Sequence, residues 1–414
     1  MPVYDRWLRT TLEQLLAEEA VLVLRGPRAC GKRTLVTALA GELGRDVVDF
    51  GDPRTLAIAS QDPASYLQGR QEPVIIDEFQ RLPDVLAYVK RSVDRTPREG
   101  AFLLTGSTTH HLLPQGSETL AGRSHELTLW PLSQGELRGT REHFVTRVFA
   151  EPKSLLAQRH QTDRIEYARL LTTGGFPDAV RRTRPEARAR WLTDYAARVV
   201  ERDLADLIRL RNPGAFRSTL ALCAVRTAEI LNVSTFANEL DTNRDTVGSY
   251  IELLERVMLV HRLRPYANNL GTRLTAHPKL HITDSGLAGA LCRIDASTLA
   301  RSERFGPILE TFVVNEVMKQ LSWELEPPTA WFFRDREQNE VDMVLEHPDG
   351  RIVGIEVKSS TTVDRGDAGG LRRLASLAGS RFHHGIVLYT GESSIRLSDD
   401  GTLSAHPVAS LWQP

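Results

Sequence analysis

The chain has 414 residues, of which 41% are hydrophobic and 25% are charged, and its formal net charge is −1. This length predicts roughly two to four domains, and the near-zero charge excludes a globally basic protein, so nucleic-acid binding would need a local patch. The sequence lacks the roughly 20-residue apolar run of a membrane span and the features of a signal peptide, and its three cysteines are too scattered for a disulfide framework or zinc cluster. We therefore expect a cytoplasmic protein that does not bind membranes.

Lysine is rare in this chain, since only six of its 52 basic residues are lysines. Two of the six stand in recognisable motifs: Lys32 ends a glycine-containing loop, and Lys358 ends the segment Ile355-Glu356-Val357-Lys358. Where a composition favours arginine, a retained lysine indicates a position that needs a compact ammonium on a flexible stem. These two lysines mark two separate candidate sites.

The first predicted strand, Ala20–Leu24, leads directly into a glycine-containing loop, and Leu35–Ala40 then forms a predicted helix. Strand, loop and helix in this order are the context of a phosphate-binding loop. The glycines let backbone N–H groups turn inward, the helix N-terminus favours anions, and Lys32 reaches the outer phosphates. The residues expected to bind ATP are Gly26, Pro27, Arg28, Ala29, Cys30, Gly31, Lys32, Arg33 and Thr34.

Two further predicted strands end in polar residues. Pro73–Ile76 ends in Asp77 and Glu78, and Ala101–Thr105 leads to Ser107. In ATPases of this type the first carboxylate holds the Mg²⁺ shell, and the second polarises the attacking water. We therefore predict that Asp77 binds Mg²⁺, that Glu78 is catalytic, and that Ser107 senses the γ-phosphate.

These segments resemble prokaryotic AAA+-like ATPases that carry a C-terminal domain of unknown function. The resemblance spans nearly the whole chain, and its further motifs are Leu120-Ala121-Gly122-Arg123, Leu129-Trp130-Pro131-Leu132-Ser133, Gly174-Gly175-Phe176-Pro177, Glu201-Arg202-Asp203, Pro278-Lys279-Leu280 and Thr283-Asp284-Ser285-Gly286-Leu287. It implies that Arg123 contacts the γ-phosphate, in cis or from a neighbouring subunit. A solvent-exposed surface arginine is the alternative role for Arg123.

The phosphate-binding loop departs from the family pattern at one position. The residue after the loop lysine is normally Ser or Thr, whose hydroxyl coordinates Mg²⁺, but here it is Arg33, and the hydroxyl follows at Thr34. One residue on a helix is roughly 100° of rotation, so Thr34 would point elsewhere. A guanidinium cannot ligate a cation, although it can bind phosphate. We expect nucleotide binding to survive this change and Mg²⁺-dependent turnover to suffer from it.

The middle of the chain, from about 140 to 230, is predicted to be helical and locally basic. Five arginines lie within ten positions, with Glu186 as the acidic residue among them: Arg181, Arg182, Arg184, Arg188 and Arg190. A solvated helix face and an electrostatic footprint on a nucleic-acid backbone are the two interpretations of this cluster.

A winged helix-turn-helix is predicted after residue 230. A short helix capped by Ser234 would bury Phe236, Ala237 and Leu240, and the helix after it places Val247, Tyr250, Ile251 and Leu254 on one face. The hairpin-like Met258–Leu263 follows. Such a domain either binds DNA through the second helix or serves as a packing module. The second helix would expose Asn243, Arg244, Thr246 and Ser249.

The last part of the chain predicts a helix that carries Glu310, followed by strands at Trp331–Arg334, Glu340–Leu345 and Ile352–Lys358. Alternation places Glu356 and Lys358 on one face of the third strand. Asp342 followed by Glu-x-Lys on the next strand resembles the PD-(D/E)xK nuclease core. The resemblance implies that Asp342 and Glu356 hold a divalent cation, that Lys358 activates water, and that Glu310 is the additional acidic residue. An exposed strand face with alternating charges is the alternative.

The predicted fold class is α/β. A P-loop AAA+-like ATPase domain over 1–140 is followed by an Arg-rich helical lid over 141–215, a winged helix-turn-helix over 216–270 and a restriction-endonuclease-like domain over 271–414. The first interpretation is a DNA-acting ATPase that uses ATP and Mg²⁺ in repair, recombination or defence. The second is a nucleotide-gated adaptor in which Arg33 prevents efficient hydrolysis. The third is a regulator that holds a protein partner. Self-association into a homo-oligomer is left open.

Overall fold

The structure is a computed structural model that describes residues 4–106, 120–157, 160–203, 212–267 and 277–413. The chain forms two compact units. The N-terminal unit contains Asp5–Pro131 and the short segment Arg256–Met258, and the C-terminal unit contains Leu132–Glu255 and Leu259–Pro414. The four-domain division stays a prediction. In the described part of the chain, no helix has the length and apolar character needed to cross a membrane.

The N-terminal unit is built on a parallel sheet with the strand order β2-β3-β4-β1-β5. The strands are β1 (Val21–Arg25), β2 (Val47–Asp49), β3 (Val74–Asp77), β4 (Phe102–Gly106) and β5 (Ser124–Thr128). The helices are α1 (Leu8–Leu16), α2 (Lys32–Leu43), α3 (Pro53–Ala59), α4 (Pro63–Leu67) and α5 (Val85–Arg95). The apolar runs predicted as strands coincide with β1, β3 and β4, because strands buried on both faces read as continuous apolar segments.

The register of this sheet positions the predicted ATP site. Asp49, Asp77 and Thr105 are neighbours at the ends of β2, β3 and β4. The carboxyl ends of parallel strands meet at one edge, where ligands bind in open α/β sheets. Since the loop after β1 leads into α2 from the same edge, these polar residues and the loop share one end of the sheet.

The first half of the C-terminal unit is mainly helical. Its helices are α6 (Gln134–Arg138), α7 (Phe144–Ala150), α8 (Arg164–Thr173), α9 (Pro177–Val180), α10 (Pro185–Arg198), α11 (Pro213–Val225), α12 (Val233–Glu239), α13 (Arg244–Arg256), α14 (Ser285–Leu291) and α15 (Ala296–Leu299). On α13 the predicted apolar stripe is buried. The predicted cap of α12 was wrong: Asn232, rather than Ser234, accepts the N–H groups of Ser234 and Thr235. An amide side chain caps a helix as well as a hydroxyl does.

A three-stranded antiparallel sheet accompanies these helices. It has the order β6-β8-β7, with β6 at Glu229–Ile230, β7 at Val260–Leu263 and β8 at Lys279–Ile282. The predicted hairpin-like segment after α13 therefore pairs with a strand that lies beyond the predicted boundary at residue 270. Strands from both sides of that boundary share one sheet.

A six-stranded mixed sheet forms the last part of the chain, with the order β13-β14-β12-β11-β10-β9. Its strands are β9 (Thr329–Arg334), β10 (Glu340–Glu346), β11 (Ile352–Lys358), β12 (Phe382–Tyr389), β13 (Ile395–Arg396) and β14 (Leu403–Pro407). Its helices are α16 (Phe305–Leu321) and α17 (Gly369–Ala378). One core cluster joins Val313 of α16 to Ile355, and another joins Leu371 of α17 to Val344. The alternation predicted for β11 is confirmed, because Ile355 and Val357 both pack in the α16 cluster.

Candidate functional site

The phosphate-binding loop has the backbone geometry that an anion cradle requires. Ala29 and Gly31 have φ values of 60° and 107°, in the left-handed region. A Cβ added to Gly26 would lie 2.2 Å from the carbonyl oxygen of Leu129, so only glycine fits there. The combination of left-handed residues and a close backbone approach turns successive N–H groups to one side.

Lys32 lies inside this loop and begins α2. Its side chain is buried, and its Nζ donates to the carbonyl oxygens of Gly26 at 2.8 Å and Pro27 at 3.0 Å. Gly31 gives α2 no side-chain cap, so the first N–H groups of the helix are available to an anion. The residues fit a nucleotide: Lys32 can exchange two neutral carbonyls for charged phosphate oxygens.

Arg6, which precedes α1, contacts the phosphate-binding loop, and the sequence did not predict this contact. Its Nη1 donates to the carbonyl oxygen of Cys30 at 2.7 Å, and its Nη2 donates to that of Trp130 at 2.6 Å. One guanidinium therefore ties the loop to the segment after β5. No motif marks Arg6, because the contact joins residues that are 124 positions apart.

The two acidic residues after β3 have different surroundings. Asp77 is 3% exposed and accepts the N–H of Glu78 at 3.1 Å and the hydroxyl of Thr105. Glu78 has a φ of 56° and accepts a hydrogen bond from the Gln80 amide. Burial raises the pKa of Glu78, although Lys32 opposes that shift. Asp77 is held in place by these hydrogen bonds, so it is suited to ligate a magnesium ion. Glu78 has a raised pKa, so it is suited to act as a general base. Ser107 lies outside the described residues.

Arg33 is turned toward another strand end. Its Nη1 lies 2.7 Å from Oδ2 of Asp49, the register partner of Asp77 on β2. Thr34 is exposed on α2. The loop thus supplies no hydroxyl directly after Lys32, and a fixed positive charge is held beside Asp49. Asp49 carries no motif, and only the sheet register brings it next to Asp77.

Arg123 makes an ion pair within the N-terminal unit. Its Nε lies 2.6 Å from Oδ1 of Asp94 on α5, and its Nη2 lies 3.2 Å from Oδ2. This bidentate pair lowers the pKa of Asp94. A contact between Arg123 and a phosphate therefore requires that the pair open. The role predicted for Arg123 stays a prediction.

In the C-terminal unit, three carboxylates surround Lys279 of β8. Its Nζ lies 2.7 Å from Oε1 of Glu310, 2.5 Å from Oε1 of Glu340 and 2.9 Å from Oδ1 of Asp342. The Lys279 residue is 2% exposed, whereas Asp342 is 7% exposed. Burial would lower the pKa of Lys279, but the three carboxylates outweigh it and raise that pKa well above its usual value. Sequence reasoning predicted Glu310 and Asp342 and missed Lys279 and Glu340.

A bulge orients Asp342. The pairing of β10 with β9 shifts register between Val341 and Val344, and such bulges re-aim side chains. Asp342 points Oδ1 at Lys279, and its Oδ2 accepts the N–H of Val357 at 2.9 Å. Strict alternation could not predict this geometry.

Glu356 and Lys358 form a separate pair beside this cluster. Nζ of Lys358 lies 2.8 Å from Oε1 of Glu356. Glu356 Oε2 is buried and has no hydrogen-bond partner among the described residues. Burial, followed by the charge of Asp342, raises the pKa of Glu356 to about 8 in spite of Lys358. The carboxyl group of Glu356 therefore keeps its proton to a higher pH than an ordinary glutamate does.

Three of the five clustered arginines have partners within the fold, and one of them, Arg181, forms an ion pair with Asp178. Arg182 lies with its guanidinium 5.3 Å from the ring centre of Trp191, and Arg188 donates to the hydroxyl of Thr173 at 3.0 Å. Arg184 and Arg190 are exposed. The predicted basic patch is therefore smaller than the sequence cluster.

Comparison with known proteins places the motifs in three segments. A model described as an AAA domain matches residues 18–138, and two domains of unknown function, DUF8612 and DUF4143, match 164–298 and 305–411. The uncharacterized protein Rv2008c of Mycobacterium tuberculosis is 30% identical over 394 residues, or 94% of this chain and 80% of that protein. Mb2031c of Mycobacterium bovis matches to the same extent. The solved Walker-type ATPase paby2304 of Pyrococcus abyssi is 17% identical with a TM-score of 0.44, covering 70% of this chain and 96% of that one.

Proposed function

This chain belongs to the family of the mycobacterial protein Rv2008c and has an AAA-like P-loop ATPase domain, and we propose that it binds and hydrolyses ATP and acts on DNA. The observation that carries the ATP part is the position of Lys32, buried in a left-handed loop at an uncapped helix N-terminus. Bound Mg²⁺ would neutralise phosphate charge next to Asp77. Glu78 would orient and deprotonate the attacking water.

The first experiment measures ATP binding and Mg²⁺-dependent hydrolysis. Lys32→Ala is expected to lose nucleotide affinity, because the outer phosphates lose their cation. Glu78→Gln is expected to keep ATP binding and to slow turnover. Lys90→Ala, on α5, is the matched control for the loss of one lysine. Unchanged ATP affinity in Lys32→Ala would refute the site.

A nucleotide-gated adaptor is the second candidate function, and one observation favours it. The position that normally provides a magnesium-binding hydroxyl holds Arg33, which pairs with Asp49. Such a protein would bind ATP tightly, turn it over slowly, and change its partner affinity with the bound nucleotide. A wild-type turnover as slow as that of Glu78→Gln would favour the adaptor.

The action on DNA is proposed from the C-terminal unit. Helix α13 follows α12 after a short turn and leaves Asn243, Arg244 and Ser249 exposed, and this supports the proposal that α13 is the recognition helix of a winged helix-turn-helix. The six-stranded mixed sheet has the Asp and Glu-x-Lys pattern of a restriction-endonuclease-like domain on neighbouring strands. We take these two features together as the support for contact with nucleic acid.

ATPase turnover with no DNA, linear DNA and branched DNA tests this part. Faster turnover with either DNA is the expected result, and the more effective DNA identifies the preferred structure. ATPase turnover that does not change with DNA, a lack of DNA binding and a co-purifying protein would together favour the regulator that holds a protein partner. Metal-dependent cleavage by Asp342, Glu356 and Lys358 stays a prediction. Carboxylates at that site already share the ammonium of Lys279.

A further inference from the structure

Lys279 satisfies all its donors inside the C-terminal carboxylate cluster. An ammonium has three N–H donors, and its Nζ has three carboxylate oxygens at 2.5–2.9 Å, from Glu310, Glu340 and Asp342. These groups come from β8, α16 and β10. The tertiary structure therefore places three carboxylates around one cation, and that cation is the ammonium of Lys279 itself.

A divalent metal ion would need the same position. Mg²⁺ and Mn²⁺ bind carboxylate oxygens at roughly 2.0–2.2 Å, and the point close to all three oxygens is where the ammonium lies. A metal ion at that point would therefore have to displace the ammonium of Lys279. In the described part of the chain no group of three or more His, Cys, Asp and Glu side chains is arranged to hold a metal. The residues as placed do not fit the metal that a nuclease core implies.

The Glu356 pair does not supply another complete shell. Its Oε1 faces Lys358 at 2.8 Å, and Oε2 is one buried oxygen without a partner. With that single oxygen, the other positions of an octahedral magnesium ion would fall to water or substrate. Both oxygens of Asp342 already accept a hydrogen bond, Oδ1 from Lys279 and Oδ2 from the Val357 N–H.

We propose that Lys279 is the resident cation of this carboxylate cluster and takes the place of a divalent metal. The inference rests on the C-terminal unit alone and does not depend on ATP binding. An ammonium with three satisfied donors offers no open coordination position and cannot generate a metal-bound hydroxide. The cluster then fixes β8, α16 and β10 against one another, and no divalent metal ion takes part at this site.

Mn²⁺ titration of the full chain without nucleotide tests the proposal, with free Mn²⁺ measured by electron paramagnetic resonance. Wild type should show no tight Mn²⁺ site that depends on Asp342. Lys279→Met removes the ammonium and keeps a side chain of similar length, so it should bind Mn²⁺ at least about tenfold more tightly than wild type. Lys358→Met is the matched control and should show no such gain. ATP affinity should remain unchanged in both variants.

Two results would overturn the proposal. One is tight Mn²⁺ binding by wild type that Asp342→Asn abolishes, since the metal and the ammonium would then coexist. The other is a folded Lys279→Met chain without added Mn²⁺ affinity. Should Lys279→Met fail to fold, Lys279→Met combined with Glu340→Gln removes one of the repelling carboxylates. The wild-type and Asp342→Asn titrations decide the question independently of either variant.

Discussion

At the residue scale, lysine marks interior positions where oxygen atoms converge. Three of the six lysines are nearly buried, namely Lys32, Lys279 and Lys319. Lys32 contacts two loop carbonyls, and Lys319 contacts Glu316 at 2.5 Å and the Leu132 carbonyl at 3.0 Å. A compact ammonium can direct its three donors at oxygens on different sides of one small space, whereas the donors of arginine all lie in one plane. The rarity of lysine was thus a signal for Lys279 as well as for the motif lysines.

Arg33 sets the first prediction at this scale. Arg33→Thr restores a hydroxyl directly after Lys32, and we expect Mg²⁺-dependent ATP turnover to rise by at least about tenfold, because a magnesium ligand contributes to transition-state stabilisation. Steady-state phosphate release measures the effect. Asp49→Asn is the control, since it breaks the 2.7 Å ion pair without adding a hydroxyl. Equal turnover in Arg33→Thr and wild type would mean that Thr34 or water already provides this ligand.

Glu356 gives a pH-dependent prediction. Its folded-state pKa of about 8 lies above the ordinary value of 4.5, so the folded chain holds a proton that the unfolded chain has lost between these values. Stability therefore falls as pH rises through this window, by up to about 1.4 kcal/mol per pH unit from this group. Glu356→Gln removes the titration and should become more stable relative to wild type from pH 5 to pH 8.

Urea unfolding across that pH range measures the difference between Glu356→Gln and wild type. The two proteins should be similar near pH 5, where Glu356 is protonated and its carboxyl resembles an amide. Glu337→Gln, at a largely exposed position of the same domain, controls for the substitution itself. A difference that is constant with pH would show that Glu356 ionises at its ordinary pKa.

At the scale of elements, α10 determines how many clustered arginines can meet a phosphate backbone. Arg182 and Arg188 have partners inside the fold, whereas Arg184 and Arg190 are exposed at the start and first half of the helix. Replacing the exposed pair by Ala should flatten the salt dependence of DNA affinity by roughly 0.9 unit per lost phosphate contact.

Fluorescence anisotropy with labelled duplex DNA at several salt concentrations measures this slope. The double variant Arg91→Ala, Arg95→Ala, with both arginines exposed on α5, loses the same charge elsewhere. A matched loss of slope in both double variants would indicate a general charge effect. An unchanged slope in the α10 variant would show that this helix presents an ordinary solvent-exposed face that does not contact DNA.

At the scale of the whole molecule, nucleotide binding should act first on the N-terminal unit. The phosphate-binding loop, Asp77 and Glu78 all belong to Asp5–Pro131. ATP at about 100 times its Kd stabilises the state that binds it by about 2.7 kcal/mol. In differential scanning calorimetry, ATP should raise the Tm of the transition in which this unit unfolds. Lys32→Ala should abolish the shift, and a shift that persists in that variant would place ATP elsewhere.

The sequence by itself determined three of the five strands of the ATPase sheet and the phosphate-binding loop. Apolar runs ending in Gly or Asp locate β1, β3 and β4. A buried strand and the phosphate-binding motif each depend on consecutive residues, so both can be recognised from the sequence. The three C-terminal strands and the α13 stripe were predicted for the same reason. Helix caps were less certain, as Asn232 shows, since several polar residues near a helix start can serve.

Only the tertiary structure decided what surrounds the predicted site residues. Asp49 meets Arg33 through sheet register, and Lys279 meets Asp342 across 63 residues with the help of a bulge. Motifs specify chemical groups at fixed spacing along the chain, but contacts between distant strands depend on register and on where a bulge falls. For this reason the sequence indicates which carboxylates gather at the C-terminal site, while the fold supplies the cation they share.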